Sequence, residues 1–239
     1  MNKSPKLAIF LFFAFLVLFA CLLFAQKDEP VPAGKIIKRS RADEPVGFGK
    51  KLSELAIERT AYKVLYDGSY RKIKYPGGDV PADRGVCTDV VIRVYRRLGI
   101  DLQKEVHLDM LAAFPKYPRI WGLKRPDPNI DHRRVPNLQT FFKRKGISLK
   151  VTANPDDYYP GDLVTWMLPG NLPHIGIVTD RLSEDGLRPM IVHNIGQGPK
   201  LEDMLFAFKI TGHYRYYGHL ARKEIDSDGT DRATSQAAD

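Results

Sequence analysis

Cys87, His174 and His193 are the residues whose types and spacing could do covalent chemistry. Cys87 stands in Asp83-Arg84-Gly85-Val86-Cys87-Thr88-Asp89, where a Gly/Pro-rich loop ends and a periodic apolar segment begins. Val91, Val94 and Leu98 follow at the spacing of one helical face, and Gly99 is placed to stop the helix. The pattern predicts Cys87 in the first turn of a largely buried helix. Unpaired N–H groups and the positive end of the helix dipole favour a thiolate there. The plain alternative is a buried small hydrophobe, the usual state of a free cysteine.

A thiol nucleophile needs a base within hydrogen-bond reach and a group that orients the base. His174 opens the predicted strand His174 to Thr179, and period-two alternation puts it on one face with Gly176. A glycine there would let a helix approach the sheet closely, so that Cys87 could face His174. His193 ends the next strand, Met190 to His193, where it could set a polar ring behind His174. Adjacent strand residues point to opposite faces, so His193 and Asn194 compete for that role, and His193 is the expected member. Singly, each histidine is more often structural; the combination with a helix-start cysteine is what carries the reading. The Cys87 backbone N–H is a candidate oxyanion donor.

The 239 residues are 44% hydrophobic, enough for one good core in a single domain with tails. Lys3 and Lys6 precede an unbroken apolar run from Leu7 to Ala25, the pattern of an export signal or signal-anchor over residues 1–26. The run is long enough to anchor the chain in a membrane uncleaved, while Ala25 and the loosely lipobox-like Leu18-Phe19-Ala20-Cys21 offer processing sites. The expected location is the periplasm or cell envelope. Of the two cysteines, Cys21 lies inside this run, so the exported part carries Cys87 alone in an oxidising compartment. Such a cysteine is either sealed in the core or kept as a reactive thiol. The formal charge of +9 falls to about +7 once Lys3 and Lys6 are set aside. An exported basic domain meets membrane headgroups, wall polymers and peptidoglycan carboxylates, and no nucleic acid is expected as partner.

These residues must be positioned by an α+β domain over residues 49–221, between a Pro- and charge-rich linker (27–48) and a polar tail expected to be disordered (222–239). A first helix is predicted from Leu52 to Tyr66, with Leu55, Tyr62 and Leu65 on its apolar side. The Cys87 helix follows, then one capped by Asp101 and running to Phe114, and one from Pro136 to Lys145. Residues 115–135 read as a long irregular segment, a kind that often serves function. Strands are predicted at Ile147–Val151, Leu163–Met167, His174–Thr179, Met190–His193 and Phe206–Tyr217. Helices first and strands after make helices packed on an antiparallel sheet, with the nucleophile at a helix N-terminus. There is no Cys-x-x-Cys, His-Glu-x-x-His or acidic calcium loop, so no metal or cofactor is expected.

Val86-Cys87-Thr88-Asp89-Val90-Val91, Tyr159-Pro160-Gly161-Asp162-Leu163-Val164, Pro173-His174-Ile175-Gly176-Ile177-Val178 and Ile191-Val192-His193-Asn194 resemble, in order, the motifs of NlpC-type papain-like cell-wall peptidases. Longer stretches, Gly77 to Asp89, Asn129 to Asn137 and Gly170 to Val178, resemble the bacterial exported family called domain of unknown function 1287. The resemblance covers roughly residues 52–218. It implies a papain-like core with Cys87 as nucleophile, His174 as base and His193 as the orienting third residue. NlpC peptidases usually show Asp-Cys-Ser-Gly at the nucleophile where this chain has Val86-Cys87-Thr88-Asp89, and the 115–135 insertion is outside their general pattern, so substrate identity does not carry over. Asp131, His132, Arg133, Arg134, Asn171 and Asn194 are the expected substrate-binding residues. The expected activity is cleavage of an amide bond in an envelope substrate such as a peptidoglycan peptide. The alternatives are an acyltransferase or lipid/thioester hydrolase with the same triad, and a non-catalytic envelope-binding module.

Overall fold

The computed structural model describes residues 47–218. The apolar run 7–25, nearly all of the expected linker and the expected tail lie outside them. Among the described residues no helix is long and apolar enough to cross a membrane.

Among the described residues, four α-helices precede and flank one large sheet. Helix α1 spans Phe48–Arg59, α2 Cys87–Arg97, α3 Leu102–Ala113 and α4 Val135–Lys145. After the two-residue strands β1 (Leu65–Tyr66) and β2 (Arg84–Gly85) come β3 (Ile147–Leu149), β4 (Leu163–Leu168), β5 (Leu172–Leu182), β6 (Pro189–His193), β7 (Lys200–Glu202) and β8 (Lys209–Arg215). Strands β3 to β8 form a six-stranded antiparallel sheet in the order β3-β8-β4-β5-β6-β7. The fold is α+β.

Alternation along β5 divides the core in two. Ile175 and Ile177, with Leu163 and Val192 on the neighbouring strands, pack against Leu52 of α1, Val91 and Tyr95 of α2, and Leu138 and Phe142 of α4. Val178, with Val164, Trp166 and Ile191, packs under Tyr158, Met204 and Leu205 on the other face. At the far end of β4 and β8 a buried Asp162 accepts from His213 Nε2 and Arg215 Nε, each at 2.8 Å.

Helix α1 corrects the expectation of a helix from Leu52 to Tyr66. It starts within the expected linker and stops at Arg59, and the chain leaves through turns at Thr60–Tyr62. Tyr62 and Leu65, expected on the apolar side, are more than half exposed. The reason lies downstream: Leu65 donates its N–H to Asp83 O and Asp67 to Gly85 O, so this segment pairs in parallel with the loop that delivers Cys87. The expected strand Phe206–Tyr217 is shorter at both ends, and β7 has no counterpart among the predicted strands.

Candidate active site

Cys87 is the first residue of α2 and is 4% exposed. What fixes that helix end is Asp89, whose carboxylate accepts the Val86 N–H at 2.6 Å. The chain comes so close here that a Cβ on Gly85 (φ 155°) would lie 3.0 Å from Asp89 Cβ. Asp89 is in turn held by a buried, two-pronged pair with Arg133, Nε to Oδ1 and Nη2 to Oδ2, both at 2.9 Å. Arg133 also donates to Asp67 O and Ser69 O, and Thr88 Oγ1 donates to Arg133 O.

The thiol is not poised as a thiolate. Burial pushes Cys87 up to about 11, with the Asp89 charge adding to the rise. The N–H groups of Ile175 and Thr88 and the Tyr66 hydroxyl pull the other way and are outweighed. This corrects the expectation from the helix end alone: desolvation of the charged form exceeds what the dipole offers. Tyr66 itself is raised, first by burial and then by its closeness to Cys87. Sequence reasoning did not single out this tyrosine, because it assigned it to the end of α1.

His174 and Gly176 do not face the helices. His174 is the cross-strand partner of Trp166 (ring centroids 6.0 Å apart), on the face opposite α2. A Cβ on Gly176 would meet Ile191 Cγ2 at 2.6 Å and His193 Cβ at 3.2 Å, so this glycine makes room for β6 and not for a helix. The link between thiol and histidine runs through the backbone: Cys87 lies against the amide of Ile175, the residue after His174. Among the described residues no hydrogen bond joins Cys87 to His174.

His174 Nε2 lies 2.9 Å from His193 Nδ1, the rings meeting edge to face, and His193 Nε2 lies 2.7 Å from Glu202 Oε2. Both rings are almost wholly buried, whereas the Glu202 side chain is 44% exposed. Burial pushes His174 down to about 3, and it holds His193 below its ordinary value against the pull of Glu202. Asn194 does not address His174: it donates to Gly85 O at 3.5 Å and accepts from Gly196 N–H. Glu202 was not among the expected residues, and a three-residue edge strand gives little signal from which to find it.

Of the other expected substrate-binding residues, Asp131, His132 and Arg133 are buried and Asn171 is exposed. Burial drives His132 down to about 3. Asp131 accepts the Asp127 N–H and pairs with Arg134, whose guanidinium lies 4.1 Å over the Trp121 ring. These contacts lie within the 115–135 insertion, which is tied to α2 by Arg133 and Asp89 and to α4 by the Asn137 amide donating to Asp131 O. Asn171 sits with φ 58° in the β4–β5 turn, exposed at the end of the sheet where His174 lies. Among the described residues no group of three or more His, Cys, Asp or Glu could hold a metal ion.

A family described as "Domain of unknown function (DUF1287)" matches residues 53–216, a span that contains the thiol, both histidines and Glu202. The chain belongs to the DUF1287 family. The uncharacterized protein YijF of Escherichia coli (strain K12) is 50% identical to it over 166 residues, 70% of this chain and 80% of YijF. The DUF1287 match begins inside α1 and ends just after β8, so the family unit is the α+β domain itself.

Proposed function

We propose that this DUF1287 domain is an exported cysteine hydrolase with an NlpC-type, papain-like core, cutting an amide bond of an envelope substrate such as a peptidoglycan peptide. The observation that carries the reading is the meeting of Cys87, at a helix start, with the His174–Ile175 segment whose imidazole is backed by His193. With the thiol near 11 and the ring near 3, the pair rests uncharged. The thiol proton then moves as attack occurs and not before it. Cys87 Sγ bonds to the carbonyl carbon, and the Nδ1 of His174 takes the thiol proton. The oxyanion is met by the Cys87 N–H, which has no partner within the helix, and by the Tyr66 hydroxyl. Collapse breaks the C–N bond, His174 returns the proton to the leaving amine, and water then hydrolyses the acyl-enzyme. His174 stands at the start of β5 on the face away from α2, so this reading requires the strand start to turn its ring toward Cys87.

The test is to incubate the full chain with purified peptidoglycan and, separately, with envelope lipids, identifying products by mass. Wild type should release fragments that have gained water, and Cys87→Ala none. No product, or the same product from Cys87→Ala, overturns the reading. The burial of Cys87 favours a second one, a non-catalytic envelope-binding module. In that case wild type and Cys87→Ala would bind peptidoglycan equally and neither would release product.

A further inference from the structure

We propose that Glu202 is a positioning residue that fixes the tautomers of both histidines and leaves His174 Nδ1 without a proton. The inference rests on reading Cys87 and His174 as nucleophile and base.

It follows from counting donors. A neutral imidazole has one N–H and one bare nitrogen, and an ionised carboxylate can only accept. His193 Nε2 lies 2.7 Å from Glu202 Oε2, so the His193 proton must sit on Nε2. Its Nδ1 is then bare and can only accept. The group 2.9 Å from that nitrogen is His174 Nε2, so the His174 proton must sit there. His174 Nδ1 is left bare, which is what a base for the thiol requires. Reversing any one proton would set two donors or two lone pairs against each other in a buried place.

Glu202 is suited to this by its position. It is the cross-strand partner of Ile191, which puts it on the His193 face of the sheet, and its side chain keeps 44% exposure. A carboxylate there stays hydrated while it reaches a buried ring. When His174 takes the thiol proton, Glu202 is the acid group in line to stabilise the resulting positive charge. Lys200, also on β7, opposes that charge, and Asp89 faces Cys87 from α2. Glu202 is thus the acidic partner on the histidine side of the sheet that touches the chain of rings.

The test is a two-bond 1H–15N spectrum of the full chain with 15N-labelled histidine at pH 7, with His174→Gln and His193→Gln to assign the rings. Both rings should carry their proton on Nε2. In Glu202→Ala, roughly a third or more of the His193 rings should move it to Nδ1, whereas Glu202→Gln, whose amide oxygen still accepts, should keep the wild-type pattern. Peptidoglycan turnover should fall about tenfold or more in Glu202→Ala and recover in part in Glu202→Gln. A wild-type His193 protonated on Nδ1, or unchanged rings in Glu202→Ala, overturns the proposal. The expected tautomers in a protein that releases no product uphold the proposal and count against the hydrolase reading alone.

Discussion

At Cys87 two local effects oppose each other, and their balance sets the resting state of the site. The first turn of a helix offers unpaired N–H groups, worth at most about 2 kcal/mol to a partly buried charge. Removing a thiolate from water costs more when the residue is 4% exposed and Asp89 is two residues away. Alkylation of the full chain by iodoacetamide should therefore show a midpoint above about 8.5, the value for a free cysteine. Tyr66→Phe should raise it further, because the phenol donates to the charged form. A wild-type midpoint at or below the free-cysteine value would show that the helix end prevails over burial. Under the hydrolase proposal, Cys87 gains its reactivity from the base during attack.

Helix α2 is placed by what grips its first turn. Arg133 joins Asp89 to the Asp67–Ser69 turn, which carries the chain on from Tyr66. Breaking such a buried pair by removing one partner costs about 3–5 kcal/mol, because the remaining charge is stranded. Arg133→Ala should lower the thermal midpoint markedly, and Asp89→Asn less, since an amide can still accept from the Val86 N–H. Arg134→Ala, at a side chain 18% exposed that rests on Trp121, should lower the midpoint less than Arg133→Ala. Equal, small effects from all three would return the segment to the role of a ligand-binding loop. Helices and long strands were legible in the sequence because their apolar periodicity extends over many residues, as from Val91 to Leu98. What escaped it was short or set by pairing across the chain. β7 is three residues long, and Leu65–Tyr66 pairs with a loop and does not continue α1. The period-two reading put His174 and Gly176 on one face correctly, but alternation alone does not say which face the helices cover. Residue type likewise does not reveal that the Arg133 guanidinium is paired with Asp89.

Over the whole domain, buried histidines make stability depend on pH in one direction. His132 and His174 are each pushed from about 6.5 down to about 3 by burial, with Arg133 and Arg96 adding to the effect on His132. The unfolded chain takes up a proton at each ring as pH falls below 6.5, and the folded chain does not until about 3. The unfolded state therefore binds more protons in that interval, and stability present above pH 6.5 is lost as pH falls through it. His107 and His193, also lowered by burial, act with the same sign. Asp131 is raised by burial and acts oppositely, against the two histidines that are pushed furthest down. From pH 7 to 5 the thermal midpoint of the full chain should fall by roughly 5 °C or more. His132→Gln should flatten the fall: its amide takes no proton, and the Nδ1 it replaces has no hydrogen-bond partner to lose. A midpoint independent of pH between 7 and 5, or an unaltered slope in His132→Gln, would mean that these rings already ionise within the fold. The domain would then have to open around them far more readily than a ring 1–2% exposed allows.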